Sequence, residues 1–201
     1  MARTSKLRGA LFTALTGNRG DVSGGGGDIG GMLLAVGGAS RRTRSGIDLT
    51  AAAGKLGVSR RTVERWLKAS QTGAGHAPSP VHAKNLARAA QRAATTQAGR
   101  RAGLAATRVK ASAAAGARLS MTGRQGPLAK GQVYARNRTT QLDLDPQALQ
   151  SMLDAYERGG DKAFVGWATQ HWGQQYLDDW QFETIDDVKV ETPEDGTWRA
   201  W

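Results

Sequence analysis

The sequence predicts a mainly α-helical protein that ends in a small acidic α+β domain with the order strand-helix-helix-strand. Before residue 120, apolar residues recur at helical spacing in several segments. Around residues 140–144 and 180–190 they alternate, as is typical of strands. Nine of the twelve aromatic residues follow Asp143, so we expect the better-packed core in that last part.

Charge divides the chain at nearly the same point. Up to Leu142 there are 24 Lys and Arg residues against four acids, a net of +20, whereas the remainder has four basic and 13 acidic residues, a net of −9. A strongly basic surface attracts polyanions. We therefore expect a nucleic acid to bind the first part, and a protein partner or a second copy of the chain to bind the acidic part.

Composition and spacing also limit the chemistry. The absence of cysteine excludes disulfides and thiol catalysis, and the apolar run Met32–Val36 is too short to span a bilayer. The three histidines have no metal-ligand spacing. The sequence Tyr176–Asp179 is similar to the Tyr-x-Asp-Asp of reverse transcriptases, but a domain of about sixty residues cannot supply the third carboxylate that this chemistry needs. We expect a cytoplasmic, nucleoid-associated protein with no enzymatic activity, metal, cofactor or membrane association.

Residues 1–28 are expected to form a flexible basic arm and glycine linker. Leu7, Leu11 and Leu15 share one face of a weakly amphipathic segment. Gly24–Gly27 is a run that neither helices nor strands favour. Although this run is glycine-rich, it lacks the Lys-Ser/Thr ending of a phosphate-binding P-loop, so a linker is the better interpretation.

Residues 29–70 carry the pattern of a DNA-binding helix-turn-helix. Three short helices are predicted. Gly57 ends the second helix, and Ser59 caps the third. Their apolar faces contain Ile29, Met32, Leu33 and Val36 in the first, Leu49, Ala52, Ala53 and Leu56 in the second, and Val63, Trp66 and Leu67 in the third. The small Ala53 allows two helices to cross closely. A helical hairpin used only for packing is the alternative.

The predicted DNA contacts lie on the third helix and in its surroundings. Arginine, lysine and hydroxyl side chains reach phosphates and the acceptor edges of guanine in a major groove. On this helix the candidates are Ser59, Arg60, Arg61, Thr62, Arg65 and Lys68. In the preceding loop, Arg41, Arg42 and Arg44 are placed for phosphate contact or are simply solvated charge.

Residues 71–138 are predicted to be a basic, alanine-rich helix followed by a loop. Lys84, Arg88 and Arg92 recur every four residues, and contact with phosphates would relieve their mutual repulsion. After Gly99, phosphate contact and a solvated, partly disordered helix interrupted at Gly99 and Gly103 fit the sequence equally well. From Ser120 to Arg138 we expect a loop, with a short strand at Gln132–Ala135.

Residues 139–201 are predicted to be an acidic, aromatic-rich α+β interaction domain that folds on its own and forms homodimers or binds another protein. Alternation at Thr140, Leu142 and Leu144 indicates a strand, and Asp145 caps a helix that Gly159 ends. That helix has a stripe of Leu149, Met152, Leu153 and Tyr156. A second helix, Asp161–Leu177, would bury Phe164, Trp167, Ala168, Trp172 and Tyr176, before one or two strands containing Trp180, Phe182, Val188 and Val190.

The order of these parts resembles the telomere-protecting terminal proteins of actinobacterial linear chromosomes and plasmids. The similarity covers Leu49 to Val190 and rests on GVSRRTVERWLK, the basic tract with AATT at Ala93–Thr96, ARLSMT, and QLDLDPQALQSMLDAYERGG. It implies binding to telomeric DNA ends, covalent attachment to them through a hydroxyl, and priming of end patching with a larger telomere-binding protein and a DNA polymerase. The alternative is a helix-turn-helix regulator of transcription or plasmid maintenance with an acidic dimerisation domain.

One departure from that family concerns the nucleotide-accepting hydroxyl. The family threonine corresponds to a point near Gly126–Leu128, where this chain has no hydroxyl. Thr122, or failing that Ser120, is the candidate replacement, because a priming hydroxyl needs an exposed, flexible loop and Thr122 is flanked by glycine and basic residues. An ordinary linker threonine is the alternative, and in that case this protein would bind ends without attachment.

Overall fold

The computed structural model describes residues 2–129, 132–175, 179–194 and 197–200. They form seven helices and six strands within these ranges. The helices are α1 (Ala2–Thr16), α2 (Ile29–Gly37), α3 (Leu49–Leu56), α4 (Arg60–Thr72), α5 (Pro80–Thr95), α6 (Gln97–Ala113) and α7 (Pro146–Gln175). The strands are β1 (Ala117–Ala129), β2 (Gln132–Val133), β3 (Arg136–Leu144), β4 (Trp180–Phe182), β5 (Asp187–Glu194) and β6 (Thr197–Ala200).

The chain divides into two units, each with its own interior. Asn18–Gly103 is called the helical unit, and Met1–Gly17 together with Leu104–Trp201 is called the sheet unit. The sheet unit is therefore discontinuous in sequence. This division differs from the predicted one, in which residues 1–28 are an arm and residues 139–201 a domain of their own.

The helical unit buries one face from each of its helices. Helix α2 packs against α3, α4 and α5, and its Met32 and Leu33 are fully buried. At the end of α2, a Cβ on Gly37 would overlap the carbonyl oxygen of Asp48, so glycine permits the close approach of α2 and the start of α3. The three predicted helices of residues 29–70 are confirmed.

The predicted flexible segment is wrong for residues 18–22, because they are bound to α2. Asn18 donates from Nδ2 to the carbonyl oxygen of Leu34 at 3.0 Å, and the Asp21 amide donates to the carbonyl oxygen of Gly31 at 2.9 Å. Val22 is 1% exposed. Within the glycine run, Gly24 and Gly26 have positive φ, a conformation that residues with a Cβ rarely adopt.

The predicted basic arm is also wrong, since α1 belongs to the interior of the sheet unit. It packs against β5 and α7, and Leu11 and Leu15 are fully buried in the same hydrophobic cluster as the aromatic residues of α7. An ion pair between Arg8 Nε and Asp161 Oδ2, 3.4 Å apart, adds to this contact.

The sheet unit is built on an antiparallel sheet with β1 at its centre. The order is β2-β1-β5-β6, and β3 and β4 also pair with β1. Ala117–Gln125 pairs with β3 on one side, while β5 and β4 pair with β1 on the other. The inner face of the sheet contributes Leu119, Met121, Leu142, Val188 and Val190 to the shared core.

The loop predicted for Ser120–Arg138 is therefore wrong over most of its length. Its strand β1 is stabilised by partners distant in sequence, which local patterns do not reveal. The sequence predicted that residues 139–201 form a unit alone. This is wrong, because β1 and α1 supply part of the core. The strand at Thr140–Leu144 is confirmed as part of β3, and of the strand predicted at Gln132–Ala135 only Gln132–Val133 is present, as β2.

Two glycine predictions have opposite outcomes. Helix α7 is broken where expected: Gly160 has φ 63°, and the aromatic stripes on either side of it are buried. Of the second stripe, Tyr176 lies outside the described residues. Helix α6, in contrast, continues through Gly99 and Gly103. A Cβ on Gly99 would overlap the carbonyl oxygen of Arg92, so this glycine provides a close approach rather than an interruption.

The second half of α6 packs on α7 through an ion pair. Arg108 Nη2 lies 2.7 Å from Asp154 Oδ1 and 2.9 Å from Glu157 Oε2. Burial alone would lower the pKa of Arg108, but its hydrogen bonds to these carboxylates raise it. Arg108 is thus held in an ion pair within the sheet unit, which neither of the two interpretations of the region after Gly99 anticipates. Among the described helices, none is both long enough and apolar enough to cross a membrane.

Candidate nucleic-acid interface

The turn between α3 and α4 has the geometry that the sequence predicts. Gly57 adopts a left-handed conformation with φ 67° and ψ 31°, which costs little only without a Cβ. Asp48 caps α3 by accepting from the Ala51 amide at 2.9 Å, and Ser59 caps α4 by accepting from the Thr62 amide at 3.1 Å. Ala53 is buried. These contacts fix the direction in which α4 leaves the turn.

Helix α4 has a basic face directly opposite its apolar face. Val63, Trp66 and Leu67 are buried in the helical unit, whereas Arg61, Arg65 and Lys68 are exposed. At about 100° per residue, the mean directions of these two sets differ by about 180°. The three cations lie within about 60° of each other by the same geometry. Packing of the apolar set therefore turns the basic set to solvent.

The other three predicted contacts on α4 lie at its edge or its start. Arg60 Nε lies 2.8 Å from Glu64 Oε1 in an exposed pair. The hydroxyls of Ser59 and Thr62 are hydrogen-bonded to each other at 2.8 Å. Sequence analysis did not weigh Glu64, although the Arg-to-Glu spacing of four residues was the available signal.

The loop before α3 is ordered and presents three arginines. An isolated bridge joins Ala39 to Ile47, and Thr43 donates from Oγ1 to the Ile47 carbonyl oxygen at 2.8 Å. The side chains predicted to contact phosphates from this loop are all exposed: Arg41, Arg42 and Arg44. Their position is thus set by backbone geometry rather than left to a flexible loop.

Helix α5 has a second basic stripe. Leu86, Ala90 and Ala94 are buried, and Lys84, Arg88 and Arg92 are all exposed about 160° away around the helix. Ser79 caps this helix by accepting from the His82 amide at 3.4 Å, and Pro80 occupies its first turn. The stripe continues the positive surface of the helical unit.

The two candidate nucleotide-accepting hydroxyls lie in a strand, so the premise of an exposed, flexible loop is wrong. Ser120 is 7% exposed within β1. Thr122 is half-buried, and its Oγ1 is hydrogen-bonded to Thr139 Oγ1 on β3 at 2.8 Å. Neither hydroxyl can move away from its place without breaking strand pairing with β3 and β5.

The described histidines, aspartates and glutamates include no group of three or more that could hold a metal ion. Asp143 is paired instead with Arg118, which donates from Nε and Nη2 at 2.7 and 3.0 Å. These hydrogen bonds hold the pKa of Asp143 below its ordinary value. Of the Tyr176–Asp179 sequence, only Asp179 is among the described residues.

Comparison with known proteins agrees with this geometry. A family model described as a homeodomain-like domain matches residues 38–79, which include the arginine loop, α3, the turn and α4. No curated protein and no solved structure matches the chain. The helical unit thus contains a homeodomain-like helix-turn-helix, a domain type that indicates DNA binding.

Proposed function

We propose that α4 is the recognition helix and reads duplex DNA from the major groove. The observation that carries this proposal is the basic face of Arg61, Arg65 and Lys68, turned outward by the packing of Val63 and Trp66. In helix-turn-helix domains the second helix enters the groove with its N-terminal residues on base edges. Arg61, the second residue of α4, is placed to donate to guanine O6 and N7.

The remaining cations of the helical unit supply sequence-independent affinity. Lys84, Arg88 and Arg92 on α5 and the three arginines of residues 41–44 are exposed, and we assign them to phosphates because they lie outside the recognition helix. If all six neutralise phosphates, the logarithm of affinity should fall against the logarithm of salt with a slope of about −5 from these contacts. Binding to random DNA should therefore be strongly salt-dependent.

For the biological role we propose binding at the ends of linear replicons, with the acidic residues of the sheet unit serving a larger telomere-binding protein, a DNA polymerase or a second copy of the chain. The resemblance over Leu49–Val190 supports this role. The strand position of Ser120 and Thr122 favours end binding without covalent attachment. A regulator of transcription or plasmid maintenance fits the helix-turn-helix equally well. Under either role the protein acts as a nucleoid-associated binder rather than an enzyme.

Selection from random duplexes tests the DNA-binding proposal, and the selected site then separates the two roles. A recovered sequence located at replicon ends supports end binding, whereas sites upstream of genes support the regulator. Failure to enrich any sequence would contradict a recognition helix. In a second experiment, the protein is incubated with labelled nucleotide, polymerase and the end-binding partner, and adducts are located by peptide mass. No adduct on Ser120 or Thr122 is expected.

A further inference from the structure

A β-hairpin in the sheet unit differs in charge from its surroundings. Residues 124–129 and 132–138, here called the basic hairpin, comprise the end of β1, all of β2 and the start of β3, and contain three basic residues and no acid. From Asp143 onward the chain has a net charge of −9. The basic hairpin is thus positively charged next to an acidic part of the chain. It lies outside the helical unit and is not part of the helix-turn-helix.

The basic hairpin also presents an exposed aromatic ring on a fixed backbone. Tyr134 is 51% exposed and its neighbour Val133 is 40% exposed, both large values for apolar side chains. The Tyr134 amide donates to the Pro127 carbonyl oxygen at 2.9 Å, and Val133 pairs with Leu128. A Cβ on Gly126 would overlap the Tyr134 carbonyl oxygen, so glycine permits this tight pairing. The ring is thus held outward with little backbone entropy left to lose.

Acidic neighbours lie across β1 from this ring. On the β4 side, Glu183 pairs with Arg124, and the carbonyl oxygen of Asp179 accepts from the Leu128 amide. Arg138 lies over the Trp180 ring with its guanidinium 5.7 Å from the centroid. Strands β2 and β3 pair with one edge of β1, and β4 pairs with the other edge. Tyr134 and Arg136 are both exposed on the β2–β3 side, away from these acidic residues.

We propose that this edge of the basic hairpin binds single-stranded DNA, with Tyr134 stacking on a base and Arg136 contacting a phosphate. Positive charge without acids fits a polyanion. An exposed ring on a basic surface is the recurring arrangement for unpaired bases, whose faces are accessible, whereas duplex bases are already stacked. This site is separate from α4 and does not rest on the function proposed for it.

The test measures the affinity of the full-length protein for a labelled oligothymidine by fluorescence anisotropy. Tyr134→Ala should weaken binding about 5- to 150-fold, the range for loss of one base–aromatic stack. Tyr134→Phe should retain the wild-type affinity. Arg136→Ala should weaken binding and reduce the magnitude of the salt slope by about 0.7. Since Tyr134 and Arg136 are exposed, these changes should leave the fold intact, and circular dichroism checks this.

Trp198→Ala provides the matched control. Trp198 is 39% exposed in the same unit, but its ring already stacks under the Arg118 guanidinium, 4.3 Å from the centroid, and that guanidinium is paired with the acidic Asp143. Its removal should leave the affinity unchanged. Wild-type affinity of Tyr134→Ala, or equal losses in Tyr134→Ala and Trp198→Ala, would overturn the proposal. An equal loss of duplex binding in Tyr134→Ala would overturn the assignment to single strands, and loss in Arg61→Ala alone would move the site to α4.

Discussion

Replacement of Leu15 by alanine tests whether α1 is part of the sheet unit. The side chain is fully buried in the main hydrophobic cluster. Alanine removes three buried carbons, which at about 0.8 kcal/mol each amounts to about 2.4 kcal/mol of transfer free energy. The cavity left behind raises the expected loss to about 2–5 kcal/mol. That is a large fraction of the ~5–15 kcal/mol by which domains are usually stable.

The assay has to separate the two units, because a chain with two units need not unfold in one step. Urea unfolding followed by pulsed hydrogen exchange and mass spectrometry reports each unit through its own peptides. Peptides from β1 should lose protection at lower urea in Leu15→Ala, while peptides from α4 should not change. Lys6→Ala, at an exposed position of the same helix, is the control and should cost less than about 0.5 kcal/mol. If both variants unfold like the wild type, α1 is an arm and the described core is wrong.

Three further predictions concern packing and charge. Arg108→Ala should destabilise the sheet unit by about 1–3 kcal/mol in urea unfolding, because it removes the ion pairs from Arg108 to Asp154 and to the mostly buried Glu157. Gly37→Ala should lower the melting temperature of the helical unit because the new Cβ has no room, whereas Gly54→Ala, with open space around it, should raise its stability by about 0.4–1 kcal/mol. Since the pKa of Asp143 is lowered in the fold, its stabilising effect should be present near neutral pH and lost as pH falls through that lowered pKa. Asp143→Asn should accordingly be less stable than wild type at pH 7 and equal to it in acid, and equal deficits at both pH values would contradict the pairing with Arg118.

Local signals predicted the helix-turn-helix well. Gly57 and Ser59 were recognisable because their backbone and capping roles depend on immediate neighbours. The buried face of α4 follows from a spacing of three and four residues, which any packed helix must show. The break at Gly160 in α7 was found within one residue for the same reason.

Non-local contacts explain what the sequence did not reveal. Strand β1 contains glycines and a proline, and its pairing with β5 joins residues about seventy positions apart. Leu15 looks like one leucine of a weakly amphipathic segment until β5 and α7 cover it. The glycine run after residue 23 resembles a linker, yet the residues just before it are hydrogen-bonded to α2 through Asn18 and Asp21. Thr122 was assigned to a loop because no local pattern indicates its partner strand.

In the proposed complex α4 reads DNA sequence while α5 contacts only phosphates, and one pair of variants distinguishes these two roles. Affinities of Arg61→Ala and Arg88→Ala are measured for the selected site and for random duplex at several salt concentrations. Arg61→Ala should lose about 1–3 kcal/mol on the selected site and much less on random DNA, so that its specificity ratio falls. Arg88→Ala should weaken both duplexes equally and reduce the magnitude of the salt slope by about 1. Equal losses on both duplexes in the two variants would contradict the assignment of α4 as the recognition helix.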